Sequence, residues 1–554
     1  MSVARPLPLG PLDPRADQVM VGMRDGVRLA TDVYLPAGRG PFPTILTRLP
    51  YDKTGRDCFI PWVAAYMNEH GYAFVAQDTR GKGRSEGATL AFVNELADGY
   101  DCLDWLAGAA WCDGAIGMWG ESYFGFTQWA AAAGRHPALR AIVPRNTTAD
   151  IAGDWLHRQG VPRLAFPLAW AADTWIDNHM YGIVAADLDW SAGDPADVLA
   201  GVHGDRRSAS VDHWRANPPD SPVWGRPPFC ADQVAAGLRI PALHLGGWFD
   251  IFRRGQMRAW RSARRGSPAP QLLMMDAVDH AHVGWSEEPP GPVDLHAIPS
   301  AEIEAFMPEY LDPTLAFYDA VLRGAGPAVP TVRWRAGGGE WQSDESWPPT
   351  GAATLRLELA DAGAATAGPD GGGLCPRADA SPATVSWAHD PGSPVPSLYV
   401  DELQALAAPP DDRLSAGRSD LLRFTSDAFP AGLRIAGPAR VRVATTASTS
   451  TAATTAKLID VGPDGATRRL LDGAAAHPAD TRGCPVTIDL GDLAHDLAPG
   501  HRLRLEVAAS SYPQFLPQQA AERTLLAGGP DGSALELTVL NSRSASTGRI
   551  EEPR

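Results

Sequence analysis

The stretch AIGMWGESYFGFTQWAAAA (Ala115 to Ala133) limits what this chain can fold into more than any other. A short apolar run ends at Trp119, Gly120-Glu121-Ser122-Tyr123-Phe124-Gly125 turns the chain, and an alanine-rich, helix-like stretch follows at once. Pieces of such different period can meet this closely only at a sharp strand-to-helix turn. A serine there has its hydroxyl pushed clear of the backbone, beside helix N–H groups that lack intrahelical acceptors. The flanking glycines suit the crowded backbone of such a turn. Gly-x-Ser also occurs in ordinary loops, so the weight of Ser122 as a nucleophile depends on what the rest of the chain supplies.

Upstream, QVMVGMRDGVRLATDVYLP (Gln18 to Pro36) has two alternating apolar runs around Asp25-Gly26, the pattern of a β-hairpin. PTILTR (Pro43 to Arg48) and YAFVAQD (Tyr72 to Asp78) read as buried strands, with a helix between them at about residues 59–70 and another at about 98–106. LRAIVP (Leu139 to Pro144), IPALHLGG (Ile240 to Gly247) and QLLMMDA (Gln271 to Ala277) continue the series, with a helix at about 251–263 and a closing one at about 313–323. Strands alternating with helices predict a mostly parallel sheet whose reactive groups sit at the strands' C-terminal ends. Between about 148 and 234 the strands give way to tryptophan-rich helical text, read as a cap over those ends. Trp155, Trp170, Trp175 and Trp190 are candidate pocket residues there, although core packing is the commoner role of tryptophan.

Beyond Val329 short alternating runs separated by Gly, Pro and Asp turns predict an all-β sandwich. TVRWRA (Thr331 to Ala336) is read as its first strand, Asp361 to Gly373 as an irregular link, and the terminal SASTGRIEEPR as disordered. The expected division is therefore a catalytic unit of residues 1–147 and 235–328, a helical cap of 148–234, and a β domain of 329–554.

Three residues stand just beyond predicted parallel strands in the order Ser122, Asp250, His280. That is the chain order of the α/β-hydrolase triad, and acyl transfer assigns their roles. Ser122 attacks a carbonyl, His280 takes and returns the proton, and Asp250 fixes the imidazole tautomer. His280-Ala281-His282 offers a second imidazole, and beside Asp276 and Asp279 the pair also admits a metal reading. His280 is the preferred base, and neither a metal nor a cofactor is expected. An oxyanion needs two donors. One candidate is the Tyr123 backbone N–H; the other is the hydroxyl of Tyr51, in the loop after Arg48. Gly81, Gly83 and Gly87 only loosely resemble a dinucleotide loop and are read as structural.

Composition narrows the class. The chain has 554 residues, 44% apolar, with a formal charge of -17, which argues against nucleic acid or an anionic membrane as partner. Its six cysteines show no C-x-x-C spacing, and no run reaches about 18 apolar residues, so a reduced cytoplasmic protein without export or membrane insertion is expected.

Four motifs then converge. Arg48-Leu49-Pro50-Tyr51-Asp52-Lys53-Thr54, the run Asp78 to Gly87, the run Gly120 to Gln128, and Gly247-Trp248-Phe249-Asp250 together resemble the CocE/NonD hydrolases. That family includes cocaine esterases, α-amino acid ester hydrolases, glutaryl-cephalosporin acylases and X-Pro dipeptidyl-peptidases. The resemblance continues through Arg418 to Ser426, Lys457 to Val461 and Pro499 to Leu503, and covers nearly the whole chain. It implies an α/β-hydrolase fold with a helical cap insertion and a C-terminal jelly-roll. It also implies catalytic roles for Ser122, Asp250 and His280, and an oxyanion role for Tyr51. Two departures stand out. The family's G-P-W-x-H frame reads Asp276-Ala277-Val278-Asp279-His280 here, and Tyr512 to Gln519 replaces asparagine-rich text.

The expectation is a serine hydrolase acting through an acyl-enzyme on a small ester or amide, with Trp155, Trp170, Trp175, Trp248 and Phe249 as candidate substrate contacts. Self-association into a homo-oligomer is compatible with the sequence. The alternatives are an X-Pro dipeptidyl-peptidase, an acyltransferase or tailoring enzyme using the same triad, and a non-catalytic carbohydrate-binding scaffold. A peptidase of that kind needs carboxylates for the substrate's amine, for which the cap offers Asp150, Asp154, Asp173 and Asp177.

Overall fold

The computed structural model describes residues 3–540, apart from 287, 295–296, 327–328, 338, 377–380, 398–401, 408–414, 416 and 530; the terminal segment read as disordered lies outside them. The N-terminal half is built on one sheet. Its strands are β1 (Asp17–Gly22), β2 (Arg28–Tyr34), β3 (Phe42–Leu49), β4 (Ala73–Asp78), β5 (Cys112–Glu121) and β6 (Leu139–Arg145). A two-residue pair in the cap, β7 (His157–Arg158) and β8 (Val161–Pro162), stands apart, and β9 (Ala242–Gly247) and β10 (Gln271–Asp276) return to the main sheet. The sheet order is β1-β2-β4-β3-β5-β6-β9-β10, followed by β11 (Val332–Trp334) and β12 (Gln342–Asp344). From β4 to β11 all neighbours are parallel, and the β1–β2 hairpin forms an antiparallel edge. Strands β3, β4 and the end of β5 are apolar and almost wholly buried, as strands covered on both faces must be.

Helices α1 (Ile60–Glu69), α2 (Glu95–Ala107) and α3 (Ser122–Ala133) serve as crossovers. Helix α3 is buried at eleven of its twelve positions, so its small alanines reflect close packing on all sides rather than an amphipathic surface helix. The cap contains α4 (Ala165–Thr174), α5 (Pro195–His203), α6 (Ala209–Ala216) and α7 (Ala231–Ala236); α8 (Arg253–Gly266) then follows β9. The closing helix, expected over 313–323, is α9 (Ser300–Leu322) and carries Pro308 and Pro313 inside it. Prolines normally break a helix, which hid its first half. Here Ile303, Met307, Tyr310, Leu311, Leu315 and Tyr318 form one buried face against β5 and β6, and that packing outweighs the lost hydrogen bonds.

The run TVRWRA is not a sandwich strand: β11 pairs in parallel with β10 (Leu273 opposite Val332) and extends the hydrolase sheet. Short alternating runs carry no mark of which sheet they join. The C-terminal part contains β13 (Ala352–Ala360), β14 (Gly372–Pro376), β15 (Ala383–His389), β16 (Leu421–Ser426), β17 (Leu433–Val461) and β18 (Thr467–Asp480). It ends with β19 (Val486–Leu497), β20 (Arg502–Ala508), β21 (Ala521–Ala527) and β22 (Ala534–Leu540). Strand β17 pairs with β18 to β22 in different portions, and β22 also pairs with β13, so the strands close into a barrel-like sheet. Part of the expected irregular link is β14, paired with β13 and β16. One apolar core runs from Trp248, Met257 and Trp260 into the barrel through Trp347, Leu422 and Leu505, fusing the two halves. The unusual Tyr512-Pro513-Gln514 segment is also an interface: Gln514 O and Pro513 O accept from the Leu164 and Ala165 amides of the cap at 2.9 and 3.0 Å. Among the described residues no helix is long and apolar enough to cross a membrane.

Candidate active site

Ser122 sits where β5 passes into α3, at φ 53°, after Gly120 at φ 151°. A side-chain-bearing residue in the left-handed region costs about 1–3 kcal/mol and persists only where its surroundings fix it. They do so here. Ser122 N donates to Asn146 O at 3.2 Å, and the Thr147 hydroxyl donates to Ser122 O at 2.5 Å. The Gln128 amide donates to Gly120 O at 2.9 Å and accepts from Val143 N at 2.9 Å. A Cβ on Gly125 would meet the Thr147 side chain at 2.5 Å, so only glycine lets helix and loop approach this far. Ser122 is 8% exposed.

Strand β9 ends at Gly247, and the turn after it carries Asp250, buried, whose Oδ1 accepts from Phe252 N at 2.6 Å. The neighbouring β10 leads into a loop carrying His280. There His280 Nδ1 lies 2.5 Å from Asp250 Oδ2. Burial disfavours the imidazolium, but the charge and hydrogen bond of Asp250, with Glu121 and Asp279 adding to them, outweigh it and raise the His280 pKa above its ordinary value. The family's missing G-P-W frame is replaced by carboxylates. Asp279 accepts from Ala281 N, Val283 N and Leu406 N at 2.9–3.1 Å, and Asp276 pairs with Arg335. Burial pushes the Asp279 carboxyl up to about 6 against those bonds.

His282 turns elsewhere: its Nε2 lies 2.9 Å from Glu121 Oε2. The two imidazoles of the H-x-H run thus face different carboxylates. Burial would raise the Glu121 carboxyl, but His282, Arg145 and His280 hold it down to about 2. Sequence reasoning missed Glu121, because its partner is 161 residues away and a lone acid in G-E-S carries no sign of it.

Tyr51 lies in the loop after β3 with its ring edge-on to Phe124 at 6.3 Å, and its hydroxyl accepts from Trp170 Nε1 at 3.1 Å, with Ser122 beside it. Burial foremost, with Cys58 adding to it, raises the phenol well above its usual range despite those bonds. The Tyr123 amide belongs to the first turn of α3 and so has no intrahelical acceptor. The Tyr123 ring points inward, its hydroxyl donating to Glu95 Oε1 at 2.7 Å, while Glu95 Oε2 pairs with buried Arg48 at 2.9 Å. Arg48 and Lys53 of the Tyr51 motif therefore serve structure, Lys53 through Asp78 at 2.7 Å.

The expected aromatic contacts divide. Trp155, Trp170 and Trp175 belong to one cap core with Phe92 and Phe252, and Trp170 reaches Tyr51 from it. Trp248 and Phe249 turn away from the cap. Trp248 is fully buried, stacked on Trp347 at 4.7 Å with Nε1 donating to Arg335 O, and Phe249 stacks on Trp285 at 5.0 Å. They lie beside Asp250 in sequence, but Asp250 enters the site while the two rings fill the core shared with the barrel. The cap acids are engaged as well. Asp150 pairs with Arg258 and caps Gly153 N, Asp154 pairs with Arg158, Asp173 accepts from three backbone amides, and Asp177 accepts from the Tyr181 hydroxyl. A cleft of about 640 Å³ lies among Asp150, Trp224, Cys230 and Arg258, and Ser122 is not part of its lining.

A serine at a sharp strand-to-helix turn and a carboxylate–histidine pair beyond later strands stand on the sheet of an α/β-hydrolase, and the chain is a hydrolase of the serine esterase type. Residues 25–282 match the X-Pro dipeptidyl-peptidase (S15 family) model, and residues 327–531 match that of the X-Pro dipeptidyl-peptidase C-terminal non-catalytic domain. The chain is 32% identical over 546 residues to the cocaine esterase of Rhodococcus sp. (strain MB1 Bresler), covering 90% of this chain and 91% of that protein. Among solved structures, it resembles an aminopeptidase from a marine sediment archaeon, Thaumarchaeota archaeon (TM-score 0.77, 22% identity, 98% and 99% of the two chains). An α-amino acid ester hydrolase is similar too (TM-score 0.74, 23% identity, 96% and 98%). The chain belongs to the CocE/NonD family of hydrolases.

Proposed function

We propose that the protein cleaves an ester or amide of a small acyl substrate through an acyl-enzyme on Ser122, with His280 as general base and acid and Asp250 as the orienting carboxylate. The observation that carries this reading is the 2.5 Å Asp250–His280 contact beyond β9 and β10, in the same sheet whose β5 ends at the strained Ser122 turn. Asp250 holds Nδ1, which leaves Nε2 for the serine proton and then the leaving group, so no net proton is lost in a cycle. The tetrahedral oxyanion is stabilised by the Tyr123 amide and the Tyr51 hydroxyl, whose bond with Trp170 uses an oxygen lone pair and not its proton. Water resolves the ester, with His280 again as base.

Simple acyl and aryl esters fit this site better than X-Pro dipeptides. A free amine would need an unspent carboxylate near the acyl pocket, and Asp150, Asp154, Asp173 and Asp177 are each committed to the cap's own structure. The scattered spacing of the six cysteines in the sequence, without a C-x-x-C pair, supports a reducing, cytoplasmic setting. The test is burst kinetics with a panel of p-nitrophenyl esters, α-amino acyl esters and X-Pro anilides, wild type against Ser122→Ala. A burst that the substitution abolishes supports the acyl-enzyme. Turnover unchanged in Ser122→Ala overturns it, and efficient X-Pro anilide cleavage overturns the substrate class.

A further inference from the structure

Resting on the triad reading above, we infer that the Glu121–His282 hydrogen bond is a positioning element for the serine chemistry, clamping the loop that carries His280 to the turn that carries Ser122. Both partners adjoin the reacting groups: Glu121 precedes Ser122 and is the N-cap residue of α3, and His282 follows His280 by two. Other tethers of the base loop point away from the nucleophile. Phe249 N donates to Val278 O in the acid's turn, Ala281 N donates to Leu403 O, Leu406 N donates to Asp279, and Val278 bridges Gly284 within the loop itself. Among the described residues, the 2.9 Å contact between Glu121 and His282 is the hydrogen bond that joins this loop to the nucleophile's own turn.

The geometry is that of a fixed contact at the edge of the site. His282 holds φ 62°, a left-handed backbone that a β-carbon resists, so its side chain is aimed at some local expense. Its ring is pinned edge-on by Tyr310 at 5.2 Å and Phe306 at 6.1 Å, and Arg145 lies over Tyr310 at 4.2 Å. Glu121 and His282 are each about one-seventh exposed (15% and 14%), as His280 is (13%). A shift of Glu121 would therefore move both ends of the proton-transfer path relative to each other. Charge is the second consequence. His280 is faced by Asp250, Glu121 and Asp279, and the Glu121 charge is in turn shared with His282 and Arg145.

The test compares Glu121→Gln, Glu121→Asp and His282→Gln with wild type, after fluorophosphonate labelling has established whether Ser122 is reactive at all. The clamp predicts that all three lower kcat by about 10- to 100-fold with little change in KM, because reacting groups misplaced by a fraction of an ångström lose rate rather than affinity. The acid limbs of kcat/KM should separate. Glu121→Gln removes a negative charge that favours the His280 imidazolium, so its limb moves to lower pH. Glu121→Asp keeps the charge and shortens the reach, giving the kcat loss without the limb shift, and it also serves if Glu121→Gln folds poorly. A merely structural contact would lower melting temperature alone. Folded variants with wild-type kcat and coincident limbs overturn the inference while leaving the triad intact; wild-type protein unlabelled at Ser122 removes both.

Discussion

Replacing Tyr51 by phenylalanine separates the oxyanion role proposed for this residue from its packing. The ring stays edge-on to Phe124, and only the hydroxyl is lost. In the structure that hydroxyl takes the Trp170 N–H at 3.1 Å and keeps its own proton for a second partner. Burial, the main reason its pKa stands well above the usual phenol value, keeps it protonated across the working pH range, so it acts as a neutral donor throughout. With one of two donors removed, kcat should fall by about 10²–10³-fold, or about 2.7–4 kcal/mol of transition-state stabilisation. KM should change little, because the donor is matched to the oxyanion rather than to the ground-state carbonyl. The Trp170 N–H is also stranded among buried rings, so the cap should lose about 1–3 kcal/mol of stability. Stopped-flow acylation with a p-nitrophenyl ester measures the first effect, and denaturant unfolding followed by tryptophan fluorescence measures the second. An acylation rate equal to wild type in folded Tyr51→Phe would refute the assignment.

Asp250→Asn should leave the fold intact yet lower kcat by roughly 10⁴-fold, as expected when the imidazole is held in the wrong tautomer; steady-state kinetics on the folded variant checks it. The general base must be neutral, and its folded pKa is raised, so kcat/KM should fall on the acid side with a midpoint above the ordinary histidine value of about 6.5. A pH–rate profile with its midpoint below that value would contradict the electrostatics of the Asp250–His280 pair. Gly247→Ala places a Cβ 2.2 Å from Val278 O, which must displace the base loop; activity should drop far more than melting temperature, as parallel assays of both would show.

The succession of strands along the chain, and the place of Ser122, Asp250 and His280 just beyond three of them, could be read from the sequence because each is local: a buried run, then a turn, then a polar residue. Two kinds of feature could not. Contacts closed over long separations, such as Glu121 with His282 or Gln514 with Leu164, leave no periodic trace. Side-chain direction at a turn was equally hidden. Trp248, Phe249 and Asp250 are consecutive, and only the backbone path sends the acid inward and the two rings into the barrel core. Segmentation failed where packing overrode local preference. Pro308 and Pro313 lie within α9, and β17 runs on for 29 residues where short strands were expected. Strand β18, rich in alanine and polar residues, showed too little alternation to be seen, and its pairing with β17 secures it. The Tyr51 motif was legible as a pattern but not in its division of labour. Arg48 and Lys53 lock buried carboxylates while Tyr51 alone faces Ser122.

The central claim is that Ser122 forms the covalent intermediate. Folded wild-type protein would be treated with a fluorophosphonate probe, digested, and the modified residue located by mass spectrometry, with His280→Ala and Asp250→Asn treated in parallel. The account predicts a single adduct on the peptide carrying Ser122, formed rapidly in wild type and slowly in both variants. An adduct on another residue, or none while esters are still turned over, would contradict it.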